Sequence, residues 1–169
     1  MKHKIWILRI ILIVLIVGWM FLIFDFSADD GEESQTLSDK ITIKVVHIIK
    51  PSYDSLPKNE QKDFFNKVSF VVRKIGHFGE YGILGLLTAT FLLTFEGIRK
   101  LKKRYIVLFA TLWCLLYALT DETHQLFVSG RSAKVGDVFV DIAGGLVAAV
   151  ILIAIWNKCR KKKLSLRKG

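Results

Sequence analysis

Residues 5–24 read IWILRIILIVLIVGWMFLIF. This run of about 20 residues suits a hydrocarbon core roughly 30 Å thick, at a helical rise of about 1.5 Å per residue. Lys2 and Lys4 precede it, as in a signal peptide. The nearest small-residue processing site, Ser27-Ala28-Asp29, is a poor one, and the run reads as a retained membrane span.

Three more apolar segments follow, at about 75–95, 105–127 and 135–156. The expected fold is all-α. It is a single integral membrane domain, a bundle of four transmembrane helices with an amphipathic extracytoplasmic insertion over 27–72. The chain is 52% apolar and carries a formal charge of +10. That pairing is awkward for a soluble core but natural for greasy spans with basic ends. The Lys and Arg flank apolar runs without any nucleic-acid-binding motif, so nucleic acid is excluded as a partner. Cys114 and Cys159 form neither a CxxC nor a metal spacing and are expected to be free thiols.

Within the insertion, Ile41, Val45, Ile48 and Ile49 fit one helical face, although Ile41, Ile43 and Val45 also alternate like a strand. Ser38 is a candidate cap for that helix. Ser55-Leu56-Pro57 is a candidate start for a second one. This second helix bears a stripe of Phe64, Phe65, Val68, Val71 and Val72, expected to lie along the lipid interface and roof the site below. Gly76, Gly79, Gly82 and Gly85 in the second span, and Gly144-Gly145 in the fourth, suit close helix packing.

Basic residues set the orientation. Arg99 to Arg104 link spans two and three, and Lys158 to Lys168 follow span four. Both termini are therefore expected to be cytoplasmic. Arg73 and Lys74 run against the rule but are outnumbered.

Four polar clusters then fall at one margin of the membrane: Asp25 to Asp29, His77 to Tyr81, Asp121 to Gln125, and Asp137 to Asp141. Ionisable groups there are costly and commonly functional. His77, Glu80 and Tyr81 share one helical side, with Arg73 a turn earlier. Tyr117, Asp121, His124 and Gln125 share another, and Asp137 and Asp141 a third. The three stripes are expected to surround one water-filled pocket. Glu122 stands about 100° from Asp121 around the helix and is the outlying member. His77, Glu80, Asp121 and His124 are the candidate catalytic groups, with an acid–histidine pair as general base. The same four, or Glu122 in place of Asp121, offer nitrogen and oxygen donors to a divalent metal, though at no zinc-signature spacing. Arg73, Lys74 and Arg131 are candidate holders of an anionic headgroup. Tyr81, Glu122, Gln125, Asp137 and Asp141 complete the candidate ligand-binding set.

Several of these residues also carry a family resemblance. The matching elements are Phe26-Ser27 with Ser34 and Ser38, Arg73-Lys74-Ile75-Gly76-His77-Phe78-Gly79-Glu80-Tyr81, Asp121-Glu122-Thr123-His124-Gln125-Leu126-Phe127, Gly130-Arg131, and Asp137-Val138 with Asp141 and Gly144. Over nearly the whole chain they resemble the VanZ-like family. Asp29 departs from the glutamine often found after Phe-Ser-x in that family. The resemblance implies a multi-pass protein of the bacterial cytoplasmic membrane. It also points to reduced susceptibility to teicoplanin-type glycopeptides, the trait associated with the founding member. Expected partners are membrane lipids and a lipid-linked cell-wall precursor or lipoglycopeptide.

Overall fold

The computed structural model describes residues 2–28, 31–127 and 135–166. Among them are six α-helices and no strand: α1 (Lys2–Ala28), α2 (Gly31–Ile49), α3 (Lys58–Leu93), α4 (Glu96–Lys100), α5 (Lys103–Gln125) and α6 (Val135–Ser165). Among the described residues three helices are long and apolar enough to cross a membrane, within α1, α5 and α6. The second half of α3 is not one of them. His77, Glu80, Thr88, Thr90 and four glycines dilute its apolar content.

Apolar side chains cover α1 on nearly all sides, and most are exposed, including Trp6, Ile10, Val14 and Phe21. A helix greasy all round needs an apolar surrounding. One stripe is buried instead: Leu12, Ile16, Ile23 and Ser27. Through Ile16 and Ile23 it joins a core with Tyr81, Leu84, Cys114 and Ala118. Two polar contacts fasten α1 to α3. Trp19 Nε1 donates to the Glu80 carbonyl at 2.8 Å. Arg9 donates to the Thr94 hydroxyl at 3.1 Å and to its carbonyl at 3.0 Å. Its guanidinium also lies 3.9 Å from the Phe95 ring centroid. The charge in this apolar helix is thus matched by a helix end and an aromatic face.

The α3–α6 contact is the most extensive, and the glycines explain it. A Cβ on Gly85 would meet the Gly145 carbonyl oxygen at 2.6 Å. One on Gly82 would meet the Gly144 oxygen at a comfortable 3.6 Å. Gly76 and Gly79 face open space. Of the four glycines expected to suit close packing, only Gly82 and Gly85 therefore lie on this seam. Steps of three residues drift by about 60° each around a 3.6-residue helix, so the series winds off the interface. Cys114 is buried and Cys159 exposed, and both thiols are free.

The segment between α1 and the second half of α3 differs from its reading in four ways. It is helical throughout Ile41 to Val45, so the strand alternative drops out. Ser38 lies inside α2 and caps nothing. Ser55 belongs to a short 3-10 turn, Tyr53–Ser55, and α3 starts after Pro57 with no side-chain cap. The stripe expected against lipid packs largely on α2: Val68 is buried with Val46 and Tyr53, and Phe64, Phe65 and Val72 pack around them. Conversely, α2 buries Thr42 and Val46 and exposes Ile41, Ile48 and Ile49. With 36 residues in one unbroken helix, α3 is about 54 Å long. Its first half pairs with α2 as a helical hairpin continuous with the bundle.

Candidate functional site

Chain periodicity brings polar groups of α1, α3, α5 and α6 together at one end of the bundle. On α3, Lys74, His77 and Tyr81 follow one another at helical-turn spacing on the side facing α6. On α6, Asp137 and Asp141 are one turn apart. The registers match: Lys74 Nζ pairs with Asp137, and His77 Nδ1 lies 3.2 Å from Asp141 Oδ1. Asp141 is fully buried.

The α5 residues face α1. Tyr117 donates its hydroxyl to the Met20 carbonyl. The His124 ring lies 4.3 Å from that of Phe24. Gln125 Nε2 donates to Ser27 Oγ at 2.8 Å, with Asp121 Oδ2 at 3.5 Å. Ser27 in turn hydrogen-bonds Asp121. Asp121, Glu122 and Gln125 are all buried. Glu122, the outlying member by helical angle, is thus enclosed like the rest.

Tyr81 joins the two halves. It is fully buried, and Asp121 and Asp141 both lie close enough to act on it electrostatically. Asp121 also feels the charges of His77, Asp141 and His124. Tyr81 Oη, Asp121 Oδ1, His124 Nδ1 and Asp141 Oδ2 are buried here without a hydrogen-bond partner among the described residues. Unsatisfied buried polar atoms are uncommon, because each forfeits its hydration.

The acids Asp121, Glu122, Asp137 and Asp141 do not face open solvent. Nor do the candidate metal ligands assemble: among the described residues no three His, Cys, Asp or Glu side chains form a group able to hold a metal ion. Lys74 is engaged by Asp137, so an anionic ligand would meet an ion pair there. Arg73 is exposed, and Glu80 is half-buried, acting on His77 by its charge. Arg131 and Asp29 lie outside the described residues, and Asp25 is exposed.

Sequence reasoning missed Ser27 and Trp19 as contributors. Ser27 had a signal, since Phe26-Ser27 is part of the family resemblance. Trp19 had none, because only tertiary packing sets its indole on the Glu80 carbonyl. Ser27→Ala is expected to cost about 1–3 kcal/mol, since it strips a partner from two buried polar side chains. Chemical unfolding of the purified protein in detergent measures this. A cost equal to that of an exposed serine, such as Ser52→Ala, would remove Ser27 from the network.

These features define an all-α membrane protein with a polar cluster buried between apolar helices. The family model described as VanZ/LLP1 matches residues 12–157, and the chain belongs to that family. The match runs from within α1 to within α6, enclosing every residue of the cluster. No curated protein and no solved structure matches the chain.

Proposed function

We propose that this chain crosses the bacterial cytoplasmic membrane four times, with both termini cytoplasmic and the polar cluster at the outer side. The basic residues after α3 and α6 support this orientation. The second half of α3 supplies the fourth crossing, its polar groups turned toward α6 and its exposed Ile75, Ile83 and Leu86 toward lipid. There the cluster recognises the polar head of an anionic, lipid-linked envelope molecule or lipopeptide. In the cell this contributes to reduced susceptibility to teicoplanin-type glycopeptides.

The observation that carries this reading is the set of unpartnered atoms on Tyr81, Asp121, His124 and Asp141. They are donors and acceptors held at one depth, as recognition of a hydroxyl- or amine-bearing headgroup requires. Exposed Arg73, one turn before His77 on α3, supplies positive charge for the anionic portion. The test is native mass spectrometry of wild-type protein against Tyr81→Phe and Asp121→Asn, with drug susceptibility read in parallel. Loss of a co-purifying lipid-linked species and of protection, at unchanged protein level, is expected. Unchanged lipid retention in both variants would sink the reading.

The His77–Asp141 contact favours a second reading, a membrane-embedded hydrolase or transferase. A carboxylate orienting an imidazole is a general-base arrangement. The discriminating result is turnover of a labelled lipid-linked precursor that His77→Gln abolishes while binding persists.

A further inference from the structure

The opposite end of the bundle carries a cleft of about 790 Å³ where α4, the start of α5 and the end of α6 meet. Its polar wall is Arg99, Lys100, Lys103 and Arg160, and its apolar wall is Leu101 and Trp156. Glu96 is the one acid lining it among the described residues. That carboxylate lies 3.7 Å from Lys100, with both side chains about three-quarters exposed (73% and 77%), so it neutralises little. The other three cations converge. Lys103 Nζ is held on the Arg99 carbonyl at 2.6 Å and lies within electrostatic reach of Arg99 and Arg160.

Like charges gathered on a partly apolar wall repel one another, and a bound anion relieves that cost. Two guanidinium groups present forks that match phosphate oxygens. The cleft sits near the start of the candidate span of α5 and the end of that of α6, with the half-buried Trp156 on its apolar wall. Basic pockets between membrane helices suit phosphate-bearing lipid heads. We propose that this cleft seats the phosphate-bearing headgroup of an anionic phospholipid, at the membrane face opposite the acid cluster. The acyl chains then lie along the exposed apolar flanks of α5 and α6.

The full chain carries its own probe, because Cys159 lines the cleft and is exposed while Cys114 is buried. Bimane attached at Cys159 is followed in detergent during titration with phosphatidylglycerol, phosphatidylcholine or sodium phosphate. A saturable response to phosphatidylglycerol alone is expected. It should weaken roughly tenfold or more in Arg99→Gln/Arg160→Gln, at about 1 kcal/mol per basic residue near a membrane surface. Equal responses to the two lipids, or an unaltered affinity in the variant, would overturn the proposal. Saturation by sodium phosphate that blocks phosphatidylglycerol would reassign the cleft to free phosphate and also overturn it. If the double variant does not fold, salt decides: wild-type phosphatidylglycerol binding that ignores added salt contradicts a site built on these cations.

Discussion

His77→Ala is expected to destabilise the folded protein by about 3–5 kcal/mol, the usual cost of breaking a buried pair by removing one partner. The reason is Asp141. It is fully buried, its Oδ1 faces His77 at 3.2 Å, and its Oδ2 finds no partner among the described residues. Without the imidazole, the carboxyl keeps the more distant Lys74 as a favourable charge, opposed by the like charge of Asp137. Removing both members leaves no stranded acid, so His77→Leu/Asp141→Leu should recover most of the loss. Asp141→Asn keeps an acceptor oxygen and should fall between. Denaturant unfolding of wild type, His77→Leu, Asp141→Leu and the double variant in one detergent gives the double-mutant cycle. Single losses that simply add up would mean the two side chains do not act as a pair.

Gly85→Ala is the second large expected effect. Its new methyl would sit 2.6 Å from the Gly145 oxygen and 2.7 Å from the Gly145 Cα. Both are backbone atoms, so no rotamer change relieves the clash and α3 must move off α6. Overpacking of this kind costs about 1–3 kcal/mol, and Gly85→Val should cost more. The separation would reach the site, since the Lys74–Asp137 and His77–Asp141 contacts span the same two helices. Gly76→Ala provides the control. A methyl there would meet nothing within 4 Å, so the substitution should be neutral or stabilise by about 0.5–1 kcal/mol through helix propensity. Thermal unfolding in detergent ranks the three. A Gly85→Ala protein as stable as wild type would show that the interface is looser than its backbone contact implies.

The two effects differ in how far the sequence announced them. The polar stripes were legible, because residues three and four apart share a helical side whatever surrounds it. His77, Tyr81, Asp121, Asp137 and Asp141 could therefore be assembled from spacing alone. Their pairing could not. Spacing does not give the axial register between α3 and α6, which rests on Gly85 meeting Gly145. Nor does a three-residue repeat tell which of its glycines meet a neighbour: it drifts around the helix, and Gly76 and Gly79 face open space. Among the described residues the candidate metal donors do not come together for a related reason: shared depth does not by itself bring donors within coordination distance.

The sequence by itself determined the helical class, the apolar lengths of α1, α5 and α6, the family, and the residue types gathered at one end of the bundle. Those follow from local chemistry, namely hydrophobic length and the 3.6-residue period. Tertiary structure alone decided what each apolar face meets. Phe64, Phe65 and Val68 turn onto α2, while Ile48 and Ile49 of α2 remain exposed, although both sets read alike as an amphipathic helix. It also decided that Ser27 and Trp19 serve the cluster from α1. The physical reason is that an apolar stripe has the same pattern whether protein or lipid covers it, and hydrogen bonds between helices depend on a register that no single helix encodes.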